Sequence, residues 1–181
     1  MSPIRSLTAV LILLAVALPP EAAAAQTGTW YVAPGARVVK LEGWQEGYGR
    51  SLTVGWKLPY RHDDRPRSSV ALEAELADTT NALARRRDGA RQRADMRHAG
   101  GYLALNTYVS DRVFHHVRFG AVLREQRGPG GDDVSGRLVF GLGLGARVTE
   151  RLEVLARAQT QFWDFPEDLL HEGTASLRWH F

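Results

Sequence analysis

Hydrophobic and polar residues alternate with period two along most of the chain, from Thr29 to its last residue. In TWYVAPGARVV one parity carries Trp30, Val32, Ala36 and Val38, and the other carries Tyr31, Gly35 and Arg37. SLTVGWKL sets Leu52, Val54, Trp56 and Leu58 against Ser51, Thr53, Gly55 and Lys57; VALEAELA sets Val70, Leu72, Ala74 and Leu76 against Ala71, Glu73 and Glu75. GYLALNTYV opposes Leu103, Leu105, Thr107 and Val109 to Tyr102, Asn106 and Tyr108. The second half repeats the pattern in VFHHVRFGAVLRE, GRLVFGLGLGARV, RLEVLARAQTQF and EGTASLRWHF. Alternation of this kind, broken by Gly, Pro and Asp, predicts strands with one apolar and one polar face. The eight segments therefore predict an all-β chain of eight strands. Several reach the length of about 9–11 residues that a tilted strand needs to cross a bilayer, beyond the usual five or six.

The last segment runs to the terminal Phe181, with Leu177, Trp179 and Phe181 on one parity and Ser176, Arg178 and His180 on the other. Termini normally fray, so a strand that ends the chain needs partners on both sides. Pairing the last strand with the first closes the sheet. Pro34 conflicts with such closure, because it cannot donate to a ladder and a barrel has no edge on which to place it. His115 falls on the apolar parity, where it fits only at headgroup level.

Three features place the apolar face outside. Gly141, Gly143 and Gly145 line the polar face between Arg137 and Arg147; they would weaken a solvated strand but make room in a narrow interior. Trp30, Trp56, Phe162, Trp179 and Phe181 stand near strand ends on the apolar face, as an aromatic girdle does. The breaks also alternate in length: 109–113 and 148–152 are tight, whereas 79–100, 124–136 and 164–172 are long. Short turns on the periplasmic side and long loops outside are the pattern of outer-membrane barrels. The polar break 59–68 is the exception on the short side.

Composition narrows the picture further. The 181 residues are enough for one domain, and 24% charged with 44% hydrophobic residues argues against disorder. A net charge of +3 is too small to point to nucleic acid. With no Cys there is no disulfide, thiolate metal site or lipobox. Arg5, the apolar run Leu7 to Leu18 and Ala23-x-Ala25 read as a secretory signal, too short to span a bilayer. The expected organisation is a signal peptide over 1–25 and a barrel over 26–181.

TWYVAPGAR near the mature start, FGLGLGARV in the sixth strand and the terminal SLRWHF together resemble the small eight-stranded outer-membrane barrels, the OmpA/OmpX type of the porin-like superfamily. The resemblance implies an up-and-down antiparallel transmembrane β-barrel in the outer membrane of a Gram-negative envelope. It also implies that Leu177, Trp179 and Phe181 form the signal read by the barrel-assembly machinery. The implied partners are outer-membrane lipid and lipopolysaccharide, with no nucleic acid, no cofactor and a monomeric state.

The inward parity collects Arg37, Lys57, Arg118, Arg124, Arg137, Arg147, Arg157 and Arg178 with Glu73, Glu75, Glu153 and Glu172. One reading is an anion-favouring passage; the other is a plug of paired charges, which the width of an eight-stranded interior favours. The long second loop holds Arg85, Arg86, Arg87, Arg91, Arg93 and Arg97 against Asp88 and Asp95. Arginine suits phosphate geometry, so this loop is a candidate contact for lipopolysaccharide, while the plainer reading is a solvated charge run. Acyl-transfer chemistry would need a Ser, a His base and a carboxylate together. The candidate trio His171, Glu172 and Ser176 fails, because His171 has the opposite parity. The six His show no metal spacing. The expected function is non-enzymatic and structural or interactive: membrane integrity, adhesion or lipopolysaccharide contact. A narrow anion-biased channel and a soluble periplasmic lipocalin-like binder are the alternatives.

Overall fold

A computed structural model describes residues 29–41, 44–58, 68–79, 83–87, 90–128, 131–162 and 169–181; the expected signal peptide lies outside them. The strands are β1 (Trp30–Leu41), β2 (Gly47–Lys57), β3 (Ser68–Thr79), β4 (Leu83–Arg87), β5 (Ala90–Tyr108), β6 (Val113–Gly128), β7 (Gly131–Arg147), β8 (Leu152–Phe162) and β9 (Leu170–His180). All but β4 form a ring of antiparallel neighbours, closed by β1 against β9 and bridged by β3 against β5. The chain is thus an eight-stranded closed barrel, as the alternation predicts, with β4 as an addition outside the ring.

The barrel is inside out. Leu52, Leu72, Leu103, Phe119, Leu142, Leu144 and Trp179 are exposed on the wall, whereas Arg118, Arg178, Glu75 and Glu153 are fully buried. An apolar wall around a polar interior is the arrangement for lipid, and it removes the lipocalin-like alternative, which needs the apolar face within. The terminal strand is held on both flanks: Phe181 N donates to Trp30 O at 3.0 Å, and His180 N to Arg151 O at 2.8 Å.

Pro34 lies on that seam. Lys57 N donates to Thr29 O at 2.9 Å, so odd-numbered residues of β1 bond to β2 and even-numbered ones turn towards β9. Pro34 therefore faces Leu177 without an N–H, and the seam ladder passes from Val32↔Trp179 to Gly35↔Ser176, skipping residues 33 and 34. The register is unshifted across the gap; the ring tolerates the proline by omitting pairs. Pro34→Ala restores the donor and should stabilise the reconstituted barrel by roughly 1 kcal/mol, the net worth of one hydrogen bond. A raised urea midpoint checks this, and a lowered one would show that the rigid ring of proline matters more.

Two segments expected to be loops are strands. Residues 124–128 and 131–136 continue β6 and β7, whose pairing runs on to Gly128↔Gly131, with Gly131 at φ 104. The break at 79–100 holds β4 and the start of β5, paired from Leu83↔Ala94 to Arg87↔Ala90. The ring itself ends lower, at Asp78↔Arg97 between β3 and β5 and at Leu138↔Phe162 between β7 and β8. Above that rim, β4, β5, β6 and β7 form a four-stranded blade. In the sequence, charged residues and glycines dominate this stretch, although Ala94, Met96 and His98 of β5 keep the inward parity and are buried.

Candidate functional site

The lumen is built from inward side chains stacked in layers. At the end carrying the termini and tight turns, Glu153 receives Lys57 Nζ at 3.3 Å and Arg178 Nη1 at 3.3 Å, with Arg147 Nε 3.9 Å away. Tyr108 lies among them, its hydroxyl accepting from Arg147 at 3.3 Å. One layer up, Glu73 accepts from Tyr31 Oη at 2.5 Å and Arg178 Nη2 at 3.2 Å. Its neighbour Glu75 is the centre of the network. It accepts from Arg118 Nη1 and Nη2 at 3.0 and 2.9 Å, from Arg157 Nη2 at 2.8 Å and from Thr53 Oγ1 at 3.0 Å. His98 Nε2 lies 3.1 Å from the same carboxylate.

Aromatic faces complete what the carboxylates leave. The Arg118 guanidinium sits 3.8 Å above the Tyr102 ring and that of Arg178 4.4 Å above Tyr31, both within cation–π reach. Arg118 also donates to Gln159. Higher still, Glu172 accepts from Arg37 Nη2 at 2.7 Å, Gln161 Nε2 at 2.6 Å and Gln159 Nε2 at 2.5 Å. Arg124 is buried above this level and Arg137 half-buried on the adjoining strand. Over the charges lies an apolar cap: Val39, Leu41, Met96 and Leu170, with Trp44 packed against it. Interior charge is stable only when paired and hydrogen-bonded, and here each central carboxylate meets guanidinium groups with further donors around it.

Several members were not visible in the sequence. His98 and Met96 fall in the segment expected to be a loop, although the parity of Ala94, Met96 and His98 continues that of Tyr102. That continuation was the available signal. Leu170 likewise falls in the break over 164–172 that the alternation reads as a loop, and the structure places it at the start of β9. The trio His171, Glu172 and Ser176 does not assemble: His171 is exposed beside Thr160, Glu172 binds Arg37, and Ser176 Oγ donates to Leu155 O at 3.5 Å. Among the described residues no group of three or more His, Asp or Glu could hold a metal ion.

The blade carries the second candidate surface. Its outer face has the cross-strand rows Asp95↔Arg127↔Asp132 and Arg97↔Glu125↔Val134. Arg127 Nη2 meets Glu125 Oε1 at 2.7 Å, and Arg127 Nε lies 3.7 Å from Asp132. The hydrogen bonds that Arg127 donates to the Glu125 carboxylate hold its guanidinium above its ordinary pKa. Arg93 and Arg97 are exposed. Arg85, Arg86, Arg87 and Arg91 take register positions in the β4–β5 hairpin, Arg86 opposite Arg91, while their side chains lie outside the described set. Leu177, Trp179 and Phe181 all stand exposed on the wall near the closing seam.

No protein-family model and no curated protein sequence matches the chain. Solved structures do. The attachment invasion locus protein Ail of Yersinia pestis superposes with TM-score 0.55 at 12% identity, over 86% of this chain and 99% of that one. A second structure of Ail, in complex with the heparin analogue sucrose octasulfate, gives TM-score 0.53 at 12% identity, over 85% of this chain and 97% of that one. Neisserial surface protein A gives TM-score 0.57 at 15% identity, over 84% and 97%. At such identities the likeness is one of fold: the small eight-stranded outer-membrane β-barrel.

Proposed function

We propose that this protein is an outer-membrane barrel with a closed lumen, which holds a rigid blade outside the membrane for contact with anionic surfaces. The observation that carries this is the pairing of a salt-bridged, capped interior with a four-stranded sheet that rises past the rim. A closed lumen leaves the outer surface as the place for function, and a paired sheet presents side chains with less entropy to lose than a loop does. In this reading the chain is exported by its signal peptide, inserted by the assembly machinery through Leu177, Trp179 and Phe181, and works as a monomer without cofactor or catalysis. The contact is made by Arg85, Arg86, Arg87, Arg91 and Arg93 with lipopolysaccharide phosphates or acidic polysaccharide. The sulfated ligand on Ail supports the ligand class, since a barrel of similar shape accepts a polyanion.

Purified barrel should bind immobilised lipopolysaccharide with an affinity that falls as salt rises. Replacing the five arginines by serine should lower that affinity at least tenfold, given the strength of arginine–phosphate pairs. Equal binding by both forms would leave the hairpin as a merely solvated charge run. The channel reading is tested in parallel in planar bilayers, where the capped lumen should give no steady conductance. A steady current that shrinks in Arg147→Glu or Arg157→Glu would establish the channel instead.

A further inference from the structure

Beneath the apolar cap sits a histidine whose two ring nitrogens keep different company. His98 Nε2 lies 3.1 Å from Glu75 Oε1, whereas Nδ1 faces Arg37 Nη1 at 3.3 Å and Gln161 Nε2 at 3.2 Å. A guanidinium has only donors, and the Gln161 amide nitrogen also donates to the Glu172 carboxylate at 2.6 Å. Nδ1 is therefore the acceptor, Nε2 carries the proton, and the ring is neutral. A second proton has no place in this geometry, because on Nδ1 it would point at two N–H donors. Among the described residues, the charged groups around the ring are Glu75 on β3, Glu172 on β9, Arg37 on β1, Arg157 on β8, and Arg118 and Arg124 on β6. Tyr102 on β5 reaches Glu75 at 3.4 Å, and β2 offers only the neutral Thr53. Guanidinium groups outnumber carboxylates here, so a protonated imidazole would add to the excess.

One acceptor is within reach of a proton on Nδ1. It is Glu172 Oε1, 3.7 Å away and held by Arg37 and Gln161. Taking it means displacing both. The cap stands on these same residues: Val39, Met96 and Leu170 lie two positions from Arg37, His98 and Glu172 on the same inward face, and they pack as one cluster. We propose that His98 is an acid-operated latch: a proton from solvent on Nδ1 draws Glu172 away from Arg37 and Gln161, and the cap over the lumen mouth loosens. Histidine is the side chain that changes charge between pH 8 and 5, whereas an ion-paired carboxylate stays ionised through that range. This rests on the closed-lumen reading above and adds to it the condition under which the mouth gives way.

The chain has no cysteine, so a single introduced thiol reports on the cap. Met96→Cys places it in the cap, and Gly136→Cys places it on the exposed blade as the reference. Both barrels, in lipid vesicles, are treated with a dithiodipyridine, which reacts with thiols in acid as well as at neutrality. The Met96→Cys rate is divided by the Gly136→Cys rate at each pH. The ratio should be small at about pH 7.5 and rise by at least about tenfold towards pH 5, one pH unit's worth of a single-proton equilibrium. Adding His98→Gln should make the ratio independent of pH, since glutamine takes no proton. Adding Gln161→Leu instead removes one donor facing Nδ1 and should move the rise to higher pH by roughly half to one unit, the worth of one hydrogen bond. A ratio that stays small throughout overturns the latch and leaves the closed lumen standing. So does a rise that persists in His98→Gln barrels that keep a heat-dependent gel shift. If His98→Gln yields no shifted barrel, an unmoved rise in Gln161→Leu overturns the latch in its place. A ratio near one already at neutral pH overturns both the latch and the closed lumen.

Discussion

Glu75→Gln is expected to lower the unfolding free energy of the reconstituted barrel by about 3–5 kcal/mol, the cost of breaking a buried ion pair from one side. Glu75 is the common acceptor of Arg118 and Arg157, at 2.9 and 2.8 Å, and its side chain is only 2% exposed. Glutamine keeps the volume but removes the charge, leaving two buried guanidinium groups without their shared carboxylate. Glu73, with Arg118 Nη1 at 3.5 Å, takes up part of the lost attraction for one of them. Arg157 loses the carboxylate oxygen to which it donates at 2.8 Å. A second replacement, Arg157→Met, should therefore recover a large part of the loss, because removing both partners of a buried pair is far cheaper than removing one. The measurement is urea unfolding in lipid vesicles, followed by tryptophan fluorescence. A loss below about 1 kcal/mol, the figure for solvent-exposed pairs, would mean that water fills the lumen. The sealed-interior reading would then give way to a channel.

How far such a network can be read from sequence depends on what alternation encodes. Parity specifies the face of each residue: Arg37, Arg118, Arg157, Arg178, Glu73, Glu75 and Glu153 share the inward parity, and all seven are buried. Parity says nothing about height along the barrel axis. That Glu172 meets Arg37, 135 positions away, follows from the β1–β9 closure and the stagger of the strands. Alternation alone does not encode that stagger. The cap was hidden for another reason. Val39, Leu41, Met96 and Leu170 break the rule that inward means polar, since at the lumen mouth apolar residues shield the charges beneath. The blade is less legible because Asp95, Arg97, Glu125 and Arg127 on its outer face are all polar, and only the buried Ala94, Met96 and His98 on the other face carry the period.

Glycine on the inward face was legible as space, and the structure shows what occupies it. Three inward aromatics lie directly opposite a glycine on the neighbouring strand: Tyr31↔Gly55, Tyr102↔Gly120 and Phe114↔Gly145. A Cβ at Gly55 would stand 2.0 Å from Tyr31 Cζ, and one at Gly145 2.1 Å from Phe114 Cζ. The rings fold flat across the bare backbone because a lumen of eight strands has no room for them to stand upright. Gly55→Val should consequently be among the most damaging single changes to the barrel. It drives the Tyr31 ring from its place, breaks the 2.5 Å bond from its hydroxyl to Glu73, and removes the face on which Arg178 rests. Overpacking costs about 1–3 kcal/mol and a hydrogen bond to a charged group about 1.5–3 kcal/mol, so a loss of roughly 3–6 kcal/mol is expected. The readout is the fraction of refolded protein that shows the heat-dependent gel shift. Gly136→Val on the blade is the matched comparison, since a Cβ there meets nothing within 4 Å. Full refolding of Gly55→Val would show that Tyr31 can leave the network at little cost, and that the flattened aromatics fill the lumen without holding it together.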